Sequence, residues 1–409
     1  MHVSAYFLGF GVQVQSGQLR NIVRAPLLRR TRADELQNMI GKLFRRLRVA
    51  VIYAGNKDTT GAVIHRSANS RSWKSYEPVA RDIAASLSRL GVRDVAVVPE
   101  DMNLGLRLKE LDCQIAWLNS GGVQGFSSVA HGPSMLEMFG IPYVGHDPMT
   151  AAMLDNKHVV KRQLVAAGIR TAPFVVWHPA FSPADPRADH TFSEAFPPGS
   201  NRFIVKPVSG RASLNVHFVA GASNLRACVE DVFEITGNHV LIEKYLPGRE
   251  FCVAVAGPVV ARQRQFERQD GPFAFSVLER VLGPNEHIFT SMDAKPITGA
   301  RAKSVNAVEE PVLFAELKDL ARNVFLRMGI EALIRIDIRQ DEKGRLQVLE
   351  ANPKPDLKAP SDAVTSLICL GLAAEGMDYD DLILSQIANK IDFVFAQNRG
   401  GSERIQSLV

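Results

Sequence analysis

Two short segments in the carboxyl-terminal part of the chain, RID and LEANP, carry the residue types best suited to chemistry. They are typical of two strands joined by a polar turn that contains a glycine. Because side chains alternate faces along a strand, Arg335 shares a face with Asp337, and Glu350 shares a face with Asn352. A hairpin that turns at 343–344 places Asp337 directly opposite Glu350. Carboxylate and amide oxygens are ligands that Mg²⁺ accepts, so this hairpin predicts a magnesium site.

The alternative is that Asp337 and Glu350 are exposed polar positions on an edge hairpin. Both strands are strongly apolar, however, and a charged side chain that projects from such a strand usually needs a partner. The apolar residues are Leu333, Ile334, Ile336, Ile338, Val348 and Leu349. Their pattern favours a functional site over a solvated surface.

A lysine and the segment after it suit phosphate chemistry. Lys206 lies in the apolar run 203–207, where burying an ammonium group without an anion is costly. Residues 208–215 include several small side chains between cations, and their backbone N–H groups suit a flap over phosphate oxygens. An ordinary β-turn is the alternative for this segment.

The segment 240–251 (VLIEKYLPGREF) reads as an apolar strand, a turn and a second strand. One interpretation is a hairpin with charges on its surface. The other uses the unpaired backbone edge of the first strand to recognise adenine, while Glu250 accepts hydrogen bonds from ribose hydroxyl groups. Lys157 stands in the first turn of a helix that Asp155 can cap, so its side chain either reaches a ligand or lies in solvent.

The order of elements predicts an α/β and α+β chain with more than one domain. Over 47–147, apolar strands alternate with helices, which indicates a doubly wound α/β domain. The remainder combines antiparallel strands with helices and has neither a Gly-x-Gly-x-x-Gly fingerprint nor a Walker loop. The segment 178–202 is predicted as a surface excursion or lid, outside the core. Two helices, near 361–374 and 379–391, are expected to close the fold.

Bulk composition argues against several classes of protein. With 409 residues, 46% of them hydrophobic and 22% charged, the chain is typical of a soluble protein with two or three domains. No apolar run approaches the roughly 20 residues that span a bilayer, so no membrane partner is expected. The net charge of +5 lacks a basic cluster that alternates with aromatic residues, so no nucleic-acid partner is expected. Four scattered cysteines fit buried thiols in a reducing compartment, and we expect a cytoplasmic protein.

The amino-terminal segment 1–46 is rich in arginine and poor in acidic residues. This composition is similar to that of an organelle transit peptide. Nothing else in the sequence indicates an organelle. We therefore favour an extension, helical over 33–46, that docks on the body of the protein or on a partner.

Taken in order, these motifs resemble the ATP-grasp superfamily and, within it, the D-alanine–D-alanine ligase family. The shared features are Asp-x-Lys, Val-Lys-Pro, a Ser/Gly flap, Glu-Lys-x-x-x-Gly-Arg-Glu-Phe, Arg-Ile-Asp and Glu-x-Asn-Pro. The resemblance implies an ATP-grasp fold, in which a doubly wound α/β domain precedes two α+β domains that enclose ATP. The implied divisions are a basic extension (1–46), an amino-terminal α/β domain (47–147), a central domain (148–246), a carboxyl-terminal domain with the metal site (247–395) and a tail (396–409).

The resemblance also implies a role for each candidate residue. The nucleotide contacts would be Lys157, Lys206 and Lys295 for phosphates or purine, Glu243, Lys244, Tyr245 and Leu246 for adenine, and Glu250 for ribose. The ligands of two Mg²⁺ ions, for which Mn²⁺ could substitute, would be Asp337, Glu350 and Asn352. The catalytic groups would be Arg335 at the reacting carboxyl, Ser361 at the carboxylate of the second substrate, and Ser213 in the flap.

The implied reaction is ATP-dependent and ADP-forming ligation of a carboxylate to an amine. The carboxylate attacks the γ-phosphate of ATP, and an amine then attacks the acyl phosphate, so that amino acids are joined into a dipeptide. The expected partners are therefore small carboxylate and amine substrates, and family members are often homodimers. The alternatives are a ligase that makes an amide of specialised metabolism and an ATP-binding scaffold without catalysis.

Two places depart from the family pattern, and both lie on the substrate side. The family's His-Gly pair and its following Gly-Glu-Asp-Gly are replaced by the segment 118–125 (LNSGGVQG). Past Asn352, a family glycine is replaced by Asp356 and a threonine by Lys358. Lys358 either meets an anionic substrate group or pairs with Asp356. These changes predict a substrate that differs from that of the family's typical members.

Overall fold

The computed structural model describes residues 32–55, 76–123, 127–210, 213–289, 301–361, 366–397, 404–405 and 407–408. The helices are α1 (Ala33–Phe44), α2 (Glu77–Arg89), α3 (Leu104–Glu110), α4 (His131–Met138), α5 (Pro148–Asp155), α6 (Lys157–Ala166), α7 (His190–Ala195), α8 (Leu225–Thr236), α9 (Pro311–Arg327) and α10 (Tyr379–Gln397). The strands are β1 (Arg48–Tyr53), β2 (Asp94–Pro99), β3 (Ile115–Asn119), β4 (Tyr143–Val144), β5 (Phe174–Trp177), β6 (Arg202–Pro207), β7 (His217–Ala220), β8 (Val240–Lys244), β9 (Glu250–Ala256), β10 (Val259–Arg262), β11 (Gln265–Arg268), β12 (Phe273–Arg280), β13 (Ala302–Ser304), β14 (Ile334–Gln340) and β15 (Leu346–Asn352).

The first sheet is parallel, with the strand order β2-β1-β3-β4. Its central strand β1 is buried at Val49, Ala50, Val51 and Ile52, as expected of a strand covered on both faces. Helix α2 packs on β1 and β2. The predicted α/β class of this part is confirmed.

The second sheet is antiparallel, with the order β5-β8-β6-β7. Its core includes Phe203 from β6, together with Phe192 and Phe196 from the segment 178–202. The prediction that this segment lies outside the core is therefore wrong for these two residues. Their spacing of four places both rings on one side at α7, where they pack 4.7 Å apart, centroid to centroid.

The third sheet is antiparallel, with the order β13-β12-β9-β14-β15. Strand β9 is buried at every position, since it lies between β12 and β14. The hairpin of β14 and β15 pairs Asp337 with Glu350 and Arg335 with Asn352, so these predicted pairs are confirmed. An irregularity between Asp337 and Ile338 shifts the register by one residue on the turn side, where Ile338 pairs with Val348, so the predicted turn at 343–344 does not account for the whole hairpin. Strand β14 is interior, which excludes an exposed edge position for Asp337.

The predicted helix over 361–374 is wrong for the residues described there. Residues 366–372 form turns, followed by a short 3-10 helix at Ala373–Glu375. This segment packs against β12, where Ser276 donates a hydrogen bond of 2.6 Å from its Oγ to the carbonyl of Ile368. Gly371 packs directly on Ser276, where a Cβ atom would lie 2.5 Å from the Cα atom of Ser276.

Helix α1 packs against the body of the protein through Leu36, Ile40, Leu43 and Phe44. Its Gln37 binds the two-stranded sheet of β10 and β11: the side-chain amide donates to the carbonyl of Arg264 at 3.2 Å and accepts from the N–H of Phe266 at 3.0 Å. Ile405 from the tail lies in the same core. The remainder of the predicted extension, 1–31, lies outside the described residues. Among the helices of the described ranges, none is long and apolar enough to cross a membrane.

A buried histidine joins the first sheet to the third. His146 follows β4 and is 6% exposed, and its Nε2 atom lies 3.3 Å from the carbonyl oxygen of Leu333, which precedes β14. Burial lowers the pKa of His146 from 6.5 to about 4. The folded protein therefore keeps this imidazole neutral under conditions that protonate it in the unfolded chain.

This burial predicts a stability that depends on pH. Below pH 6.5 the unfolded chain binds a proton at His146, whereas the folded chain does so only near pH 4, so stability decreases as pH falls through this window. Between pH 7 and pH 5 the contribution is about 2 kcal/mol. Urea unfolding at several pH values checks it: His146→Gln should flatten the dependence, whereas exposed His190→Gln should leave it as in the wild type. An unchanged slope in His146→Gln contradicts the prediction.

Candidate active site

A cleft between the second and third sheets brings most of the sequence-predicted residues together. Lys206 and Glu243 reach it from β6 and β8, and Glu250, Asp337 and Glu350 reach it from β9, β14 and β15. The other predicted residues in its wall are Lys157, Ser213, Lys244, Tyr245 and Leu246. The sequence reasoning had treated these positions as separate motifs, and the two facing sheets make them one site.

At one end of the cleft a buried carboxylate lies between two lysines. Glu243 contacts Lys206 Nζ through Oε2 at 2.6 Å and Lys161 Nζ through Oε1 at 2.7 Å. Burial alone would raise the pKa of Glu243, but the two ammonium groups outweigh burial and lower it. The lysines respond differently: burial lowers the pKa of Lys161, whereas at Lys206 the attraction of Glu243 and other carboxylates outweighs burial and raises it.

At the other end, arginines surround two carboxylates. Arg280 bridges them, with its Nη2 2.7 Å from Glu250 and its Nη1 3.1 Å from Asp337. Arg335 donates to both oxygens of Asp337 at 2.7 and 2.8 Å, and Arg339 donates to Glu250 at 3.1 Å. Burial would raise the pKa of Asp337, but Arg280 and Arg335 lower it below its usual range. Both carboxylates are thus held close to guanidinium groups.

The predicted flap is attached to the start of α6. Lys157 donates its backbone N–H to the carbonyl of Val208 and its Nζ to the carbonyl of Gly210, both at 2.8 Å. The same Nζ lies 3.5 Å from Glu350 Oε2, so the lysine bridges the flap and the hairpin. The cap of this helix is Asn156, whose side chain accepts from two backbone N–H groups, and the predicted cap Asp155 instead ends α5.

The described part of the flap contains a turn at 213–215, so the β-turn alternative stays open. Ser213 lines the cleft with a φ of 54°, a left-handed conformation that is uncommon for a residue with a side chain. Its Oγ donates a hydrogen bond of 3.2 Å to the carbonyl of Phe289. This contact ties the flap to the segment that follows β12.

The adenine-edge prediction needs one correction. Strand β8 is interior, paired with β5 on one side and β6 on the other, so its backbone edge is not unpaired. The backbone N–H of Lys244 donates to the carbonyl of Pro173, and the backbone N–H of Tyr245 donates to the carbonyl of Arg202. Backbone recognition of a base is therefore restricted to the exit of the strand, near Leu246, where the sheet pairing ends.

Three predicted residues do not line the described cleft wall. Arg335 is hydrogen-bonded to Asp337, and Asn352 is at the end of β15, where its Oδ1 accepts from the N–H of Lys354 at 3.1 Å. Ser361 is exposed and does not line the cleft in the described residues. Lys295 lies outside the described residues.

Three cations at the site were missed by sequence reasoning: Lys161, Arg280 and Arg339. Each stands in or beside an apolar run, the same signal that marked Lys206. Arg280 ends the run FAFSVLE in β12, and Arg339 follows Ile338 in β14. Applying the rule for buried cations to every apolar strand would have identified these two arginines, although not their partners.

The hairpin offers a donor set that suits a hard divalent cation. Asp337 is 1% exposed and pairs directly with Glu350, whose side chain is 32% exposed in the cleft. Within the described ranges, no group of three or more His, Cys, Asp or Glu residues could hold a metal ion. The predicted donors are two carboxylates and the amide of Asn352, oxygen groups of the kind that Mg²⁺ takes. Both oxygens of Asp337 accept hydrogen bonds from Arg335, and Asn352 Oδ1 accepts from Lys354, so a bound Mg²⁺ would replace these contacts.

The turn after β15 is structured by its own polar groups. Asp356 accepts the backbone N–H of Lys358 at 3.2 Å, so its carboxylate is used locally. The N–H of Ala359 donates to Asp82 on α2 at 3.1 Å, which fixes the turn to the first domain. Lys354 places its ammonium group 3.5 Å from the centroid of the Tyr76 ring. Glu77, at the start of α2, pairs with Arg81 on the same helix.

Comparisons with known proteins agree with this architecture. The family model described as "D-ala D-ala ligase C-terminus" matches residues 164–388. The D-alanine–D-alanine ligase of Gloeobacter violaceus is 28% identical over 312 residues, which cover 76% of this chain and 93% of that protein. The ATP complex of the Bacillus anthracis D-alanine–D-alanine ligase has a TM-score of 0.63 at 18% identity, covering 86% of this chain and 100% of that one. The VanG D-Ala:D-Ser ligase of Enterococcus faecalis has a TM-score of 0.59 at 16% identity, covering 84% and 99%.

The antiparallel sheets and these solved structures define an ATP-grasp fold. The family model and the curated relatives make the chain an ADP-forming carbon–nitrogen ligase. The family model spans more than half of the 409 residues. The chain therefore belongs to the D-alanine–D-alanine ligase family. The predictions of fold class, family and ligase activity are confirmed, while the role of each site residue stays a prediction.

The arginine bridge predicts a large loss of stability when it is removed. Arg280→Met removes one of the two cations that contact each of the buried carboxylates Glu250 and Asp337. The free energy of unfolding should therefore fall by about 3 kcal/mol. Lys303→Met on neighbouring β13 is the control, because its pair with Glu279 is 3.5 Å long and exposed at the lysine. That variant should lose less than about 1 kcal/mol. Equal losses in urea unfolding would contradict the assignment of Arg280 as a buried bridge.

Proposed function

We propose that this ligase joins two amino acids into a dipeptide through an acyl phosphate, with ATP bound in the cleft between the second and third sheets. The pairing of Asp337 with Glu350, with Lys157 3.5 Å from Glu350, carries the proposal. Carboxylates that face a cation beside a flap provide what phosphoryl transfer needs: a metal site and positive charge at the phosphates. The curated relatives, named D-alanine–D-alanine ligases, support amino acids as the substrates.

The adenine end of ATP belongs near β8. Lys206 lines the cleft there, and the chain beyond Lys244 leaves the sheet, so that Leu246 can present its backbone to the base. Glu250 would accept the ribose hydroxyl groups in place of part of its contact with Arg280 or Arg339. Lys157 would meet the phosphates, since its ammonium group lies between the flap and Glu350.

Arg280 adds positive charge to the phosphate end. It is buried, lines the cleft and reaches both Glu250 and Asp337, so a small rotation would direct one of its N–H groups at a phosphate oxygen. Lys295 would be a second cation for the phosphates, as the family resemblance implies. Asp337, Glu350 and Asn352 would hold Mg²⁺, which would supply charge neutralisation for the phosphates when bound.

The acyl chemistry belongs at the end of the hairpin. Arg335 faces Asn352 across the strands and holds both oxygens of Asp337, so its position is fixed before substrate arrives. We assign to it the oxyanion that forms when the amine attacks the acyl carbon. Ser361 would bind the carboxylate of the second substrate. The flap at 208–215, with Ser213, would exclude water that otherwise hydrolyses the acyl phosphate.

The turn after β15 favours a second candidate, a ligase for an amide of specialised metabolism. Asp356 stands where the resemblance implies a glycine, and Asp356 and Ala359 fix the turn to its own backbone and to α2. A changed turn at the acyl site would select a different acyl or amine substrate. The homodimer and the cytoplasmic location stay predictions from the family and the cysteines.

Amino-acid-dependent ADP release tests the substrate class. We expect ADP formation above background with at least one amino acid in a panel of D- and L-isomers, tested singly and in pairs, and mass analysis should show a dipeptide. Release with small amines or other carboxylates but with no amino acid pair would support the specialised amide. If no mixture stimulates ADP release while ATP binds, the chain is an ATP-binding scaffold and the proposal is wrong.

The metal assignment is tested at Glu350. Glu350→Gln keeps the shape of the side chain but removes its charge, so amino-acid-dependent ADP release should fall by at least about 100-fold. The melting temperature should stay near that of the wild type, because this side chain is partly exposed in the cleft. Glu342→Gln, in the turn of the same hairpin and paired with Lys244, is the matched control. Retained activity in Glu350→Gln would exclude this residue as a metal ligand.

A further inference from the structure

Lys161 is a fully buried lysine with a complete set of partners and no place in the predicted site. It lies one turn after Lys157 on α6 and has no exposed surface. Its Nζ contacts Glu243 at 2.7 Å and donates to Thr171 Oγ1 at 2.6 Å and to the carbonyl of Ala172 at 3.2 Å. A buried ammonium group is costly, so such a site persists only where the charge has a partner or a use.

The charges around Glu243 show what that use is. The cluster has two ammonium groups and one carboxylate, so it carries a net positive charge. Lys206 lines the cleft, whereas Lys161 lies behind Glu243 and is not part of the described cleft wall. Lys161 therefore neutralises Glu243 from the protein side, which leaves the charge of Lys206 available to a ligand in the cleft.

A second set of contacts runs from Lys161 to the third sheet. Thr171 accepts from Lys161 and donates its own hydroxyl to the carbonyl of Val348 at 2.7 Å. Thr171 also forms an isolated parallel β-bridge with Val348, and the backbone N–H of Val348 donates to the carbonyl of Arg170 at 2.9 Å. Val348 lies two residues before Glu350 on β15. Lys161 thus contacts the adenine end of the cleft and, through one hydroxyl, the strand of the metal end.

We propose that Lys161 is a positioning residue for the nucleotide: it balances the charge of Glu243 so that Lys206 can bind ATP, and it sets the spacing of the two sheets through Thr171. This role rests on the proposed function for the location of ATP. Lys161 acts through Glu243 and Thr171 and touches no reacting atom. A purely structural lysine would stabilise the fold without affecting nucleotide affinity.

Direct titration of the full chain with ATP, with no amino acid present, tests this role at a temperature well below unfolding. Lys161→Met should raise the Kd for ATP about 10- to 100-fold, because Lys206 is then neutralised by Glu243. The Kd for adenosine, which carries no phosphate charge, should change less than about 3-fold, because the charge of Lys206 acts on the phosphates. In turnover the effect should appear in KM for ATP, with kcat at saturating ATP changed far less.

Lys318→Met is the matched control, because it removes a lysine from a partly buried ion pair with Glu375 at 3.0 Å outside the cleft. It should leave both Kd values unchanged. If Lys161→Met does not fold, Thr171→Val takes its place, since it removes the hydroxyl between Lys161 and Val348, and it should raise the ATP Kd about 3- to 10-fold. An ATP Kd equal to that of the wild type in the folded variant overturns the proposal, as does an equal loss for ATP and adenosine, which would indicate a general distortion of the site.

The outcome for Lys161 is separable from that for the proposed function. If the wild type binds ATP tightly but no substrate stimulates ADP release, the ligase substrates are wrong and the Lys161 result still decides its own question. If ligation proceeds and Lys161→Met binds ATP as the wild type does, only the positioning role is rejected. A wild type that does not bind ATP overturns both.

Discussion

The structure of the cleft depends on one constraint: a carboxylate that is removed from water must face cations. Glu243, Glu250 and Asp337 are all nearly inaccessible to solvent, and each lies within 3.1 Å of two cationic side chains. The isolated cost of burying such a charge is several kcal/mol, so none of these strands could fold around its acid alone. The cations come from helix α6 and from strands β6, β12 and β14, and satisfying the acids therefore fixes how these elements approach one another.

The same constraint explains why the cleft suits a polyanion. Within the described residues, the cluster contains more cations than acids: Lys157, Lys161, Lys206, Arg280, Arg335 and Arg339 against Glu243, Glu250, Asp337 and Glu350. The excess positive charge lies between two apolar sheets, where the low dielectric strengthens its attraction for phosphate groups. A triphosphate would neutralise that excess and take over hydrogen bonds that the acids now receive. The acids therefore keep the cations in place until nucleotide arrives.

The sequence was most informative where local pattern and chemistry coincide. The pairing of Asp337 with Glu350 could be predicted from the apolar alternation and the glycine turn, without any distant contact, although the shift in register after Asp337 could not. The interior position of β8 could not be found in this way, since strand order depends on pairings with β5 and β6 that are far apart in sequence. The helix expected at 361–374 was wrong, and the contact that this segment makes instead is also distant in sequence: Ser276, about ninety residues earlier, binds one of its carbonyl groups. A buried cation such as Arg280 can be recognised in the sequence, because it stands in an apolar strand. The acids that it contacts, Glu250 and Asp337, cannot be assigned to it, because they lie on other strands.

The division between shared and altered features follows from the same physics. At the proposed nucleotide end, the buried acids Glu243, Glu250 and Asp337 each contact two cations, so replacing one member would leave a buried charge with fewer partners, and this part tolerates few substitutions. The turn beyond Asn352 makes none of these contacts: Asp356 and Ala359 are held by single backbone hydrogen bonds, and Lys354 rests on an aromatic ring. Substitutions there should cost little stability. If this turn contacts the acyl and amine substrates, as we propose, a ligase of this family could acquire new substrates here while its ATP chemistry stays fixed, and Asp356 and Lys358 are the positions where we expect this chain to differ.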